Sequence, residues 1–189
     1  KESAKKSLVV FDMPYKTYTN KFIAYKNAKK VIKLTNCDAI KLEGGKKITK
    51  IVNFLVKKGI PVLGHVGLLP QTSRNFKARG RSSNEKKIIL NDAISISNSG
   101  AFAIIVECVI ERLARQITKN VAIPTIGIGS SRYCDGQILV TEDLTGLSDF
   151  SPKFVKQYAN LNKLIEKCVK NYAKDVKMKR FPFIKNVYK

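Results

Sequence analysis

The chain has 189 residues, 44% of them hydrophobic, with 36 Lys and Arg against 14 Asp and Glu and a formal net charge of +22. That apolar content supports one packed domain, and no run approaches the ~20 apolar residues needed to cross a bilayer. The charge invites a nucleic-acid reading. However, the cations are mostly Lys scattered over polar helix faces (Lys26, Lys29, Lys30 and Lys33, for example) and not clustered with exposed aromatics, so a solvated surface is expected.

The first residues, Lys1 to Lys6, carry no hydrophobic stretch of a secretory signal and no initiator Met, so a processed product or a piece of a longer chain is expected. Residues 7–12 read as a buried strand. From Asn20 to Leu34 the apolar residues recur at helical spacing, and 38–43 is the next strand. Ile48, Ile51, Val52, Leu55 and Val56 form a second helical stripe, stopped by Gly59 as a left-handed C-terminal residue. Residues 60–66 make a third strand, and 67–83 a long polar loop of the kind that usually serves function. A helix over 84–98, strand 101–107, helix 110–119, strand 123–128 and a short strand near Gln137–Val140 complete the series. Ser151-Pro152 reads as an N-cap followed by Pro at the first helical position, with a Lys-rich helical remainder and an aromatic tail. The expected division is a catalytic domain over 1–161 and a Lys-rich helix and tail over 162–189.

Strands alternating with helices predict a parallel sheet covered by helices. No G-x-G-x-x-G follows the first strand, which disfavours a dinucleotide-binding open sheet. A (β/α)8 barrel of the TIM type fits better, because several strands end on a polar or ionisable residue: Asp12, Lys41 with Glu43, His65 and Glu107. Six strands at about 30 residues per unit leave the count two units short of a full barrel.

Lys41 and Glu43 stand two apart on a strand, so their side chains share one side of the sheet. Gly44-Gly45 behind them would let a backbone approach a ligand closely. Asp12 with Glu43 forms a candidate hard-cation pair, since Mg²⁺ takes carboxylate and water oxygens. Glu107 closes an apolar run and is expected to be desolvated, which suits a base near neutral pH; an ion pair with Arg112 or Arg115 is the alternative. His65 is the single histidine. The four cysteines are scattered without a C-x-x-C pair, as in a reducing cytoplasm.

The segments D-A-I-K-L-E-G-G (38–45), P-V-L-G-H-V-G-L-L-P-Q (61–71), I-V-E-C-V (105–109), I-P-T-I-G-I-G (123–129), D-G-Q-I-L-V (135–140) and S-P-K-F-V-K-Q-Y-A-N-L (151–161) resemble the ketopantoate hydroxymethyltransferase family. The resemblance implies a β/α barrel of the phosphoenolpyruvate-mutase type, a homo-oligomer, and a cytoplasmic enzyme of pantothenate biosynthesis. It also implies Mg²⁺ and transfer of a hydroxymethyl group from 5,10-methylenetetrahydrofolate to the α-keto acid 3-methyl-2-oxobutanoate. By motif match, Asp12 and Glu43 would be metal ligands, Asp12 and Lys41 substrate contacts, Glu107 the proton acceptor and His65 a supporting residue.

The family's G-D-S segment, with a third metal ligand, has no match here. The first two βα units are therefore expected to be lacking, and the 189 residues alone to be inactive. Gly127-Ile128-Gly129-Ser130-Ser131 and Glu142 also depart from the family pattern, at positions expected to affect the rim or oligomer contacts. Two rival readings are another Mg²⁺-dependent C–C bond enzyme of the same superfamily and a basic nucleic-acid-binding protein on an enzyme fold.

Overall fold

The computed structural model describes residues 4–149 and 151–188. The chain divides into two compact units, one through Ile138 and one from Leu139. In the first, six strands alternate with helices: β1 (Val10–Asp12), α1 (Lys21–Thr35), β2 (Ala39–Lys41), α2 (Thr49–Lys57), β3 (Val62–Gly67), α3 (Ser83–Asn98), β4 (Ala103–Glu107), α4 (Glu111–Asn120), β5 (Thr125–Ile128) and β6 (Gly136–Gln137). All neighbours are parallel, and the spatial order is β1-β2-β3-β4-β5-β6. A doubly wound sheet must reverse its strand order somewhere. This one never does, so the barrel-type winding expected from the sequence is what forms, as a parallel half-barrel.

Local chemistry sets the element ends. The Asn20 side chain accepts from the backbone N–H groups of Phe22 and Ile23 and starts α1. Ser82 caps α3 through Glu85 N–H, while the Glu85 carboxylate reaches back to the N–H groups of Gly80 and Arg81. Gly59, at φ +77°, ends the α2 turn as expected.

Strand parity divides the sheet into two faces. Ile40, Val62, Ile104 and Val106 belong to the main core, with Val52, Leu55, Ala93, Ile96, Leu113 and Ile117 of the helices. Leu63, Ala103, Ile105 and Ile128, with Val10 and Ile126 against them, form a smaller apolar layer on the other face. The residues continuing that inner parity toward the C-terminal ends of the strands are the polar ones.

In the second unit, α5 (Thr141–Thr145) and α6 (Leu161–Lys177) are the α-helices. Two expectations need correction. Ser151-Pro152 starts no helix: Pro152 C=O instead accepts from Val155 N–H in a turn, and Tyr158 N–H donates to Leu144 C=O. The helix begins nine residues later, where the Asn160 side chain caps Lys163 N–H. The last strand is Gly136–Gln137, and Val140 precedes α5 instead of extending that strand. The expected division at 161/162 falls at the start of α6, inside the second unit. Helix α6 leaves Leu164, Ile165, Val169, Tyr172 and Val176 exposed at helical spacing.

Candidate active site

The inner parity of four adjacent strands converges at their C-terminal ends. Asp12 on β1 is in register with Lys41 on β2, and Gly67 on β3 with Glu107 on β4; His65 lies two residues before Gly67. The five side chains form a continuous chain of contacts. Lys41 Nζ donates to Asp12 Oδ2 at 2.5 Å and to Glu43 Oε1 at 3.3 Å. His65 Nδ1 lies 3.4 Å from the same Glu43 oxygen, and His65 Nε2 lies 3.2 Å from Glu107 Oε2. Neither ring nitrogen has an aligned hydrogen bond.

Exposure grades along this chain. The side chains of Glu43 and His65 are 4% and 2% exposed, Glu107 is 16% and Asp12 is 55%. The pair at the centre forms a buried floor with Glu107 mostly covered beside it, and Asp12 opens toward solvent at the other end of the run. Glu107 is thus largely desolvated, and its facing partner is His65, not Arg112 or Arg115.

Burial would push Glu43 up, but His65, Lys41 and the Gln71 N–H outweigh it and hold the carboxyl below its usual range. Burial disfavours a charged His65. The carboxylates of Glu107 and Glu43 more than offset this and raise its pKa, against the opposing charge of Lys41. Burial, chiefly, also raises Tyr18, whose hydroxyl accepts from Glu43 N–H at 3.4 Å.

The two glycines after Glu43 have a conformational reason of their own. Both have positive φ, and a Cβ on Gly45 would lie 2.4 Å from the Asp92 carboxylate of α3. That carboxylate accepts from Lys46 N–H at 2.8 Å. Backbone conformation and close packing against α3 thus require a glycine at Gly45.

A family model described as ketopantoate hydroxymethyltransferase matches residues 1–183. The chain belongs to the ketopantoate hydroxymethyltransferase family. It is 52% identical over 184 residues to the 3-methyl-2-oxobutanoate hydroxymethyltransferase of Pelagibacter ubique, covering 97% of this chain and 72% of that protein. It is 46% identical over 189 residues to the same-named enzyme of Rhizobium etli, covering 97% and 69%. A Burkholderia cenocepacia structure described as a phosphonomutase superposes over 93% of this chain and 71% of its own, with a TM-score of 0.53 and 12% identity, a likeness of fold.

Within this ketopantoate hydroxymethyltransferase fold, the donor set can be tested against a divalent ion. One ammonium already touches both Asp12 and Glu43, so the two carboxylates converge within reach of a single cation. Two hard oxygen donors suit Mg²⁺, which keeps several waters and takes few protein ligands. Among the described residues no cluster of three or more His, Cys, Asp or Glu side chains is placed to hold a metal. Asp12 and Glu43 are the two carboxylates that would hold such an ion.

Sequence reasoning missed Gln71 and Tyr18. Gln71 N–H donates to Glu43 Oε2 at 3.2 Å, and its side chain meets Tyr18 and Met13. The available signal was the long loop itself, which carries Gln71 directly after the G-H-V-G-L-L-P segment.

Proposed function

We propose that the protein transfers a hydroxymethyl group from 5,10-methylenetetrahydrofolate to 3-methyl-2-oxobutanoate, giving 2-dehydropantoate, with Mg²⁺ as cofactor. The observation that carries this reading is the unbroken run Asp12–Lys41–Glu43–His65–Glu107 across four strand ends. It combines a cation site, a fixed positive charge and a largely buried carboxylate, which are the parts needed to make a carbon nucleophile from an α-keto acid.

In this reading Asp12 and Glu43 hold the ion. Bound there, Mg²⁺ supplies Lewis-acid stabilisation of negative charge on the keto oxygen. Lys41 binds the keto acid and neutralises charge that the ion leaves uncompensated. Asp12, the most exposed of the group, also faces the substrate. Glu107 accepts the proton from C3 of the keto acid. His65 fixes the orientation of Glu107 and neutralises the carboxylates on either side of it. The resulting C3 carbanion attacks the methylene carbon of the folate, and both C–N bonds of that carbon break: one is replaced by the new C–C bond, the other by a C–O bond from water, and the two folate nitrogens take up the protons.

The six strands are read as six of the eight in a closed barrel, with β1 and β6 as the edges that two further strands would pair. The exposed apolar stripe on α6 supports a homo-oligomer. Among the described residues no helix is long and apolar enough to cross a membrane. A cytoplasmic location fits the four free cysteines.

The test is an assay of the complete gene product with 3-methyl-2-oxobutanoate and Mg²⁺, with and without 5,10-methylenetetrahydrofolate. The expected result is 2-dehydropantoate only when folate and Mg²⁺ are both present. Turnover of the keto acid without folate would replace this reading with that of a C–C bond lyase.

A further inference from the structure

The loop between β3 and α3 is tied down at both ends, and its first tie runs straight into the site. Leu69 C=O accepts from the N–H groups of Thr72 and Ser73, forming a turn that carries Gln71. From there the Gln71 N–H and both ends of its side-chain amide reach partners. Its N–H donates to Glu43 Oε2 at 3.2 Å, and its side-chain amide donates to Met13 C=O at 2.9 Å and faces Asp12 Oδ1 at 3.5 Å. Its Oε1 accepts from the Tyr18 hydroxyl at 2.7 Å, and that hydroxyl accepts in turn from Glu43 N–H. At the far end of the loop, Arg79 N–H donates to Cys108 C=O at 2.7 Å, directly after Glu107, and Ile110 N–H donates to Arg79 C=O. The Arg79 guanidinium meanwhile donates to Ser73 Oγ and Asn75 C=O.

We propose that Gln71 is a positioning residue: with Tyr18 it sets the placement of Asp12 and Glu43 and latches the β3–α3 loop over them. This rests on the cation-site reading above and adds to it. The chemistry selects an amide at this position. A carboxylate would face Met13 C=O and Asp12 without a proton to donate, and an aliphatic side chain would leave Met13 C=O and the half-buried Tyr18 hydroxyl without these partners. Gln71 touches neither substrate nor ion in this scheme. It acts through the two carboxylates.

The test uses the complete gene product with Gln71→Glu, Gln71→Leu and Tyr18→Phe. Backbone hydrogen exchange is followed in the peptides containing Glu43 and Gln71, and binding is measured with Mn²⁺ as a spectroscopic probe. Loss of these bonds is expected to speed exchange in both peptides by about threefold to tenfold. The denaturation midpoint should hold within the range of a surface change. Mn²⁺ affinity should fall for Gln71→Leu, with a rise in the apparent KM for the keto acid that exceeds the fall in kcat. Tyr18→Phe should show the same exchange pattern more weakly. Unchanged exchange in both Gln71 variants overturns the proposal. So does faster exchange with Mn²⁺ affinity and both kinetic constants at wild-type values. If the wild type neither binds Mn²⁺ nor transfers a hydroxymethyl group, the reading of the site fails, and the exchange rates alone still decide whether Gln71 orders the loop.

Discussion

The two faces of one sheet are built from alternate residues of the same strands, yet they do different work. On the outer face Val62, Ile104 and Val106 pack under the helices, and the apolar cluster is continuous from β2 to α4. On the inner face the apolar layer is thin, and it gives way at the strand ends to Asp12, Lys41, Glu43, His65 and Glu107. Burying charge is costly unless it is paired. The inner face meets this by linking its charges in one chain. Parity thus separates the residues that hold the fold from those available for chemistry, and substitutions on the two faces should separate in the same way.

The largest effect should come from the inner face. Glu107→Gln keeps the shape but cannot accept a proton, so kcat should fall by about 10²–10⁴-fold while the unfolding midpoint is nearly unchanged. Full activity in this variant would remove Glu107 as the base. On the outer face, Ile104→Ala should do the opposite. Ile104 is fully buried in the main core, and truncation should cost about 2–5 kcal/mol in denaturant unfolding. The kcat/KM of the folded fraction should stay at the wild-type value. A large catalytic loss with intact stability at Ile104 would break the division of labour.

Gly45 follows the site residue Glu43 by two positions and packs against α3. Alanine there would hold φ +56° with its Cβ against Asp92. The expected cost is about 1–3 kcal/mol of stability. Loss of keto-acid affinity without loss of stability would show instead that this glycine serves the ligand approach its sequence context suggests.

The alternation of strands and helices was legible because it depends on local periodicity, and the polar strand ends stood out because each interrupts an apolar run. Those ends located all five residues that the structure brings together. What sequence alone could not show depends on distant partners. The packing of Gly45 against Asp92, 47 residues away, is one such case. Ser151-Pro152 has the chemistry of a helix start, yet the pairing of Tyr158 with Leu144 goes with an extended path up to Asn160. Gln71 carries no signature of its own. Its importance lies in contacts with Asp12, Met13, Tyr18 and Glu43, which only folding brings near.

The smallest effect sharpens the comparison from the outer face, which has a polar contact of its own. Thr125 opens β5 fully buried, and both its N–H and its hydroxyl donate to Asp135 Oδ2 at 2.8 Å. These bonds favour the ionised carboxylate and hold the Asp135 pKa below the usual aspartate value. A depressed folded pKa means that the contribution to stability is fully present above the unfolded value, about 3.9, and is lost as the pH falls through the folded one. Asp135→Asn should therefore be less stable than the wild type by a constant amount from neutral pH down to about pH 5, with the gap closing below about pH 4. Urea unfolding at several pH values measures that gap. Because Asp135 is exposed, the gap should be modest, and kcat should not follow it. A gap that widens on acidification would mean that the bond to Thr125 does not favour the charged form, and a matching change in kcat would tie this outer contact to the chemistry of the inner face.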